Sequence, residues 1–243
     1  VVICLVVLGL ASGLLVDWLW FAKLGYASVF QTTIAAQILT FLIVFALTGV
    51  SLGLNTWLAL RAAQRRQLLA APVQPSILAI TPLDQLRLVR DRLPWRMIIV
   101  IGTSMVAITV AWFELGNWMI FLTMIYGAPY GVADPLYGND IGFYLFSLPA
   151  LVEIMHWLWL VLLLSALSAG LVYLIYGEIE LEAQRRWASP LAIRHASVLL
   201  GAFFLAKAWS YWLDRYMLLY ADNGVVVGAS YTSIHVELPV LWT

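Results

Sequence analysis

Five long apolar runs, at about residues 1–20, 33–57, 97–113, 150–176 and 191–213, alternate with polar stretches along this chain. A helix rises about 1.5 Å per residue and the hydrocarbon core of a bilayer is about 30 Å thick, so roughly 20 apolar residues are needed to cross it. The pattern predicts an all-α fold: a polytopic transmembrane helical bundle with about five spans, forming one membrane module over residues 1–243. Helix ends are marked as well. Pro149 suits the first turn of the fourth span and Gly177 its C-terminal cap, while Ser189 and Pro190 read as N-cap and first residue of the fifth. The run from Trp118 to Tyr126 is too short to cross and is expected to lie at the interface or re-enter.

The polar stretches fix an expected orientation. Ten of the thirteen basic residues fall in two segments, Arg61, Arg65, Arg66, Arg87, Arg90, Arg92 and Arg96 in 58–96 and Arg185, Arg186 and Arg194 from 177 to 195. Lys23 and Arg215 alone stand in the opposite loops, so the positive-inside rule puts loops 58–96 and 177–190 in the cytoplasm, together with the N-terminus. Loops 21–32, 114–149 and 214–243 then face outward. Thr81, Pro82 and Asp84 resemble the start of a short helix to about Leu93, expected to rest its arginines on anionic headgroups at roughly 1 kcal/mol each.

Composition agrees with a lipid environment, at 63% hydrophobic, 11% charged and a mean hydropathy of +0.93. Thirteen basic and thirteen acidic residues leave no net charge and no case for nucleic acid. Cys4 is the lone cysteine, which excludes an internal disulfide and a multi-cysteine metal site. Gly9 with Gly13, Gly49 with Gly53, and Ala166 with Gly170 are small-xxx-small pairs that let helices approach closely. No repeat of 20 to 50 residues and no inverted symmetry between halves is visible. The chain opens inside an apolar run without methionine and closes on another, so it is expected to be part of a longer protein.

Ionisable residues at membrane depth are costly and are functional candidates by default. Lys207 lies in the fifth span with Tyr211 and Asp214 on its face; the plainer reading is a stem that snorkels outward and an ammonium paired with Asp214 or a neighbouring helix. Glu153 and His156 form a Glu-x-x-His pair, half of a di-iron bundle motif whose other half is missing. Outside the spans, Asp134, Asn139, Asp140, His235 and Glu237 sit in Gly-, Pro- and Tyr-rich segments. They are weak candidates for a cation site, against a structural cap over the helix ends. No phosphate loop, nucleophile elbow or HExxH motif occurs, so no catalytic residue and no cofactor is assigned.

These segments carry a resemblance. Asp17-Trp18-Leu19-Trp20-Phe21 with Leu24-Gly25-Tyr26, Tyr130 to Pro135, Asp140-Ile141-Gly142-Phe143-Tyr144 to Leu148-Pro149, Arg194-His195, Tyr211 to Tyr216, and Gly228 to Thr232 with His235 and Leu238-Pro239 resemble the bacterial Uncharacterised Protein Family 0182 across nearly the whole chain. Tyr130 stands where phenylalanine is usual and Ser233 where an acid is common, and the second departure weakens a cation site at that turn. The resemblance implies long multi-pass proteins of the bacterial inner membrane, or of an internal photosynthetic membrane. In such proteins a bundle of about seven helices precedes a large non-membrane region. It implies no activity.

Three functional expectations compete. A non-enzymatic structural or accessory subunit of a membrane complex, or an anchor for a large non-membrane domain, needs only packing, with the lipid bilayer and other membrane subunits as partners. Its twelve tryptophans, concentrated near the predicted interfaces, suit those contacts. A transporter or channel would need a polar path, and the second and third spans offer few polar residues. A metal-dependent membrane enzyme rests only on the acids and histidine of the outer segments.

Overall fold

The structure is a computed structural model that describes residues 2–69, 93–179, 188–221 and 228–241. Its helices are α1 (Val2–Lys23), α2 (Ala27–Leu69), α3 (Trp95–Glu114), α4 (Trp118–Tyr126), α5 (Leu148–Ile175), α6 (Pro190–Met217) and α7 (Leu238–Leu241). Among the described residues there is no β-strand, only two isolated bridges, Ala133 with Asp140 and Ile179 with Ala188. Among the described residues four segments are long and apolar enough to cross a membrane: Ala27–Arg66, Trp95–Tyr126, Phe143–Ile175 and Pro190–Tyr220. The first predicted span, 1–20, is helical as α1.

Helices run further than the apolar runs alone indicate, because a hydrogen-bonded ladder once started extends at little cost into polar sequence. Helix α2 has 43 residues against the expected 33–57, so Arg61, Arg65 and Arg66 stand on a helix and not in a loop. The expected outer loop 21–32 shrinks to the turn at Leu24, Gly25 and Tyr26, where Gly25 takes φ +81°. Trp118–Tyr126 is not a separate element: a 3-10 turn at Leu115–Asn117 joins it to α3 as one continuous segment. The surface helix expected from Thr81 to Leu93 falls almost wholly outside the described residues.

Helix α2 is central, packed on α3 along one side and α5 along the other, and α6 lies against α5. The α2–α3 contact uses glycine. A Cβ on Gly49 would stand 3.6 Å from the Cβ of Ala107, and one on Gly53 3.9 Å from Thr103 Oγ1, so the missing side chains set the helix separation. By contrast Gly9 and Gly13 on α1 face open space. One apolar cluster, Ala59, Leu60 and Ala63 of α2 with Ala169, Val172 and Tyr173 of α5 and Ala192 of α6, holds the arginine-bearing end. A second, around Tyr144, Leu148, Met155, Leu213 and Tyr216, holds the opposite end.

The caps of α5 and α6 follow the sequence, with one difference. Gly177, at φ +69°, gives its N–H to Leu174 O while Glu178 N–H bonds Tyr173 O, the paired bonds of a Schellman C-cap. Ser189 accepts from Ala192 N at 3.2 Å and Pro190 opens α6. Pro149 stands in the first turn of α5, as expected, but α5 does not begin the helical segment. A π turn, Phe143–Ser147, precedes it, and the wider turn lets the chain stay helical through a residue with no N–H to give. The same arrangement recurs before α7, where the π turn Ser233–Glu237 leads into Leu238-Pro239. Equal spacing relates Gly138 to Gly228, both at positive φ, Asp140 to Ser230, and Leu148-Pro149 to Leu238-Pro239. The chain thus repeats a helix, turn and proline-bearing helix in the same sense, at a period too long and with too little shared sequence to be visible as a sequence repeat.

Candidate functional site

The segment 127–142 is a braced cap. Asp134 accepts from the backbone N–H groups of Leu136 (2.8 Å), Tyr137 (2.7 Å) and Asn139 (3.0 Å) and from the Tyr144 phenol (2.7 Å). Burial alone would raise its pKa, but these four donors together hold it below the usual carboxylate range. Asp140 accepts from Tyr130 N (2.8 Å), Gly131 N (2.7 Å) and Gly142 N (2.6 Å), and these bonds, Tyr130's first, lower its pKa as well. Both carboxylates are therefore engaged by their own loop and, for Asp134, by Tyr144 of the adjoining π turn. The cap is tied to α6 through Tyr137, whose phenol donates to Arg215 O at 2.7 Å and is pushed up in pKa by burial, and through an edge-to-face cluster of Tyr137, Phe143, Tyr144 and Trp212 around Tyr216. Arg215 is buried within this cluster, with Nη2 donating to the Tyr216 hydroxyl at 2.9 Å.

His235 and Glu237 do not join the aspartates. They lie exposed on the π turn before α7, where His235 stacks on Tyr231 with ring centroids 3.9 Å apart. Among the described residues no group of three or more His, Cys, Asp or Glu side chains is placed to hold a metal ion. Glu153 stands more than two turns into the helical segment that begins at Phe143, and its carboxylate shares the amide of Asn117 with Glu114, at 3.3 and 3.0 Å. His156 is 3.9 Å from the same carboxylate and largely exposed. Lys207 places its ammonium 4.2 Å from the Tyr211 ring centroid and 5.7 Å from that of Trp159 on α5. Among the described residues no carboxylate lies within ion-pair distance of it, so its partners are aromatic faces and the expected Asp214 pair is not formed.

A second polar constellation runs along the contacts of α2 with α5 and α6. Trp157 Nε1 donates to Thr48 Oγ1 at 2.9 Å. Two turns further along α2, Asn55 Nδ2 donates to Ser165 O (2.7 Å) and Ser168 Oγ (3.3 Å), while its Oδ1 meets His195 Nε2 at 2.9 Å. The other ring nitrogen of His195 meets the Tyr173 hydroxyl at 2.8 Å, so one imidazole ties three helices together. Beyond it Gln64 Nε2 donates to the Tyr176 hydroxyl at 3.2 Å, and Arg66 forms an ion pair with the buried Glu178. Sequence reading missed this column. Its residues lie far apart in the chain, and a lone Asn or His in an apolar helix gives no sign of its partner. The one signal was the spacing of Thr48 and Asn55, seven residues apart on a single face of α2.

A bundle of apolar helices with saturated internal polar pairs and a braced loop cap defines the class: a multi-spanning helical membrane protein. Within that class the chain belongs to the Uncharacterised protein family (UPF0182), which it matches over residues 1–243. It is 56% identical over its whole length to a UPF0182 protein of Bradyrhizobium diazoefficiens and 47% identical to one of Cupriavidus necator, covering 26% of each. A UPF0182 protein of Mycobacterium tuberculosis is 33% identical over 92% of this chain and 22% of its own. The chain thus spans about a quarter of the length of these relatives. No solved structure matches it.

Proposed function

We propose that this chain is a non-enzymatic membrane module, an anchoring and docking bundle for a larger assembly in the bacterial inner membrane. In this reading the Arg61, Arg65 and Arg66 end of α2 faces the cytoplasm with the N-terminus, and the Asp134 and Asp140 cap faces outward. The supporting observation is how the polar side chains between α2, α5 and α6 are spent. Thr48 and Asn55 bond partners on the facing helices, and Gln64 and Arg66 bond Tyr176 and Glu178 in the turn that caps α5, which locks α2 to its neighbours.

Its test is gentle extraction of the protein from native membranes, followed by native gel electrophoresis and quantitative composition of the band. Co-migration with other membrane subunits at fixed stoichiometry is expected. A homogeneous, partner-free particle would overturn the reading.

One observation favours transport as a second reading, the hydrogen-bonded chain Asn55, His195 and Tyr173 across three helices. Proton flux into proteoliposomes separates the two. The anchoring reading expects leakage no greater than in protein-free vesicles, whereas flux abolished by Asn55→Ala would replace it with a transporter.

A further inference from the structure

Helices α5 and α6 enclose a half-open groove of about 610 Å³. Small residues line it, Ala166, Ala169 and Gly170 from α5 with Ala192 and Ala196 from α6, and a Cβ on Gly170 would meet nothing within 4 Å. Its lining on α5 runs from Trp159 to Tyr173, about 21 Å along the axis at 1.5 Å per residue. Trp159 and Phe203, edge to face with centroids 4.6 Å apart, line one end. One turn beyond Phe203, on the same face of α6, stands Lys207, its ammonium over Tyr211 and beside Trp159. A groove lined by apolar groups with a cation at its mouth has the polarity of an amphiphile with an anionic head and a long apolar tail.

We propose that this groove seats one anionic phospholipid, its phosphate at Lys207 and an acyl chain running along α5 and α6 toward Tyr173. Three arguments favour this occupant. Charge at membrane depth is costly until neutralised, and among the described residues no carboxylate neutralises Lys207. Lys207 lies about 26 Å along the helix from Pro190 and about 20 Å from Tyr220, so its flexible stem reaches toward the headgroups of the leaflet on the cap side. The groove's length exceeds one leaflet of hydrocarbon, about 15 Å, so it accommodates an extended acyl chain. A further transmembrane helix is the competing occupant, and the test below separates the two.

Native mass spectrometry of the purified, delipidated protein with added phosphatidylglycerol or phosphatidylcholine tests the proposal. Wild type is expected to retain one phosphatidylglycerol at least about tenfold more tightly than phosphatidylcholine, since a single favourable charge contact of ordinary strength gives about that ratio. Lys207→Arg keeps the preference and Lys207→Met abolishes it. Gly170→Leu, which fills open space without displacing a neighbour, is expected to weaken retention of both lipids with the thermal midpoint unchanged. Equal retention of the two lipids by wild type, a preference surviving in Lys207→Met, or undiminished binding to Gly170→Leu would each overturn it, the last by leaving the groove to another helix.

Discussion

Tyr220 donates its phenolic hydrogen to the carbonyl oxygen of Tyr144 at 2.6 Å. That carbonyl is the one the helix cannot serve: Leu148 N–H is engaged by Phe143 O across the π turn, and the next residue is Pro149. A residue of the 3-10 turn Leu218–Tyr220, just after α6, thus completes the backbone of the π turn that leads into α5.

This pairing can be measured. Tyr220→Phe leaves a half-buried carbonyl without a donor and is expected to cost about 1–2 kcal/mol. In a Pro149→Ala background, which restores an N–H, the same substitution is expected to cost clearly less. A double-mutant cycle on unfolding in detergent reads the difference.

Acid should loosen the cap before the bundle. Asp134 and Asp140 have folded-state pKa values below their unfolded ones, so their stabilisation is complete above the ordinary carboxylate range and is lost as pH falls through the depressed folded values. Near-ultraviolet circular dichroism, dominated by the aromatic cluster, is expected to hold down to that range and decline below it, while helix content persists. Asp134→Asn gives up charge-assisted bonds of about 2 kcal/mol and should weaken the cap already at neutral pH.

Helix contact through glycine predicts opposite outcomes on two helices. Gly49→Leu forces α2 and α3 apart at Ala107, with an expected loss of about 1–3 kcal/mol from overpacking. Gly13→Leu on α1 meets no neighbour and should be neutral within about 0.5 kcal/mol. Thermal midpoints of the two variants in one detergent make the comparison.

The three-helix junction at His195 is expected to be coupled. Asn55→Ala and His195→Ala should each destabilise by about 1 kcal/mol, typical of interhelical hydrogen bonds in lipid, and the double variant by less than their sum. Additive losses would dissolve the junction into independent contacts.

How far the chain could be read in advance varied with the kind of signal. Apolar runs long enough to cross a membrane announced α2, α3, α5 and α6, and local chemistry at Ser189-Pro190 and Gly177 announced their caps, because these depend on neighbours in sequence. Where a helix ended was less visible, since helical propagation through Arg61–Arg66 or through Gly116 and Asn117 leaves no mark in hydropathy. Asp134 and Asp140 read as possible ligands by residue type, yet most of their donors are backbone N–H groups, whose direction depends on turns at Gly131 and Gly138. Asn55, Ser165, Tyr173 and His195 were silent for a different reason: only tertiary packing brings them together.

The π turn at Phe143–Ser147 also sets the angular phase of everything after it. Each residue winds a helix by about 100°, so removing one residue there would restore α geometry at the cost of rotating Trp157, Ser165 and Tyr173 together away from Thr48, Asn55 and His195. A single codon upstream of Pro149 therefore acts as the setscrew that keeps the whole column of interhelical bonds in mesh.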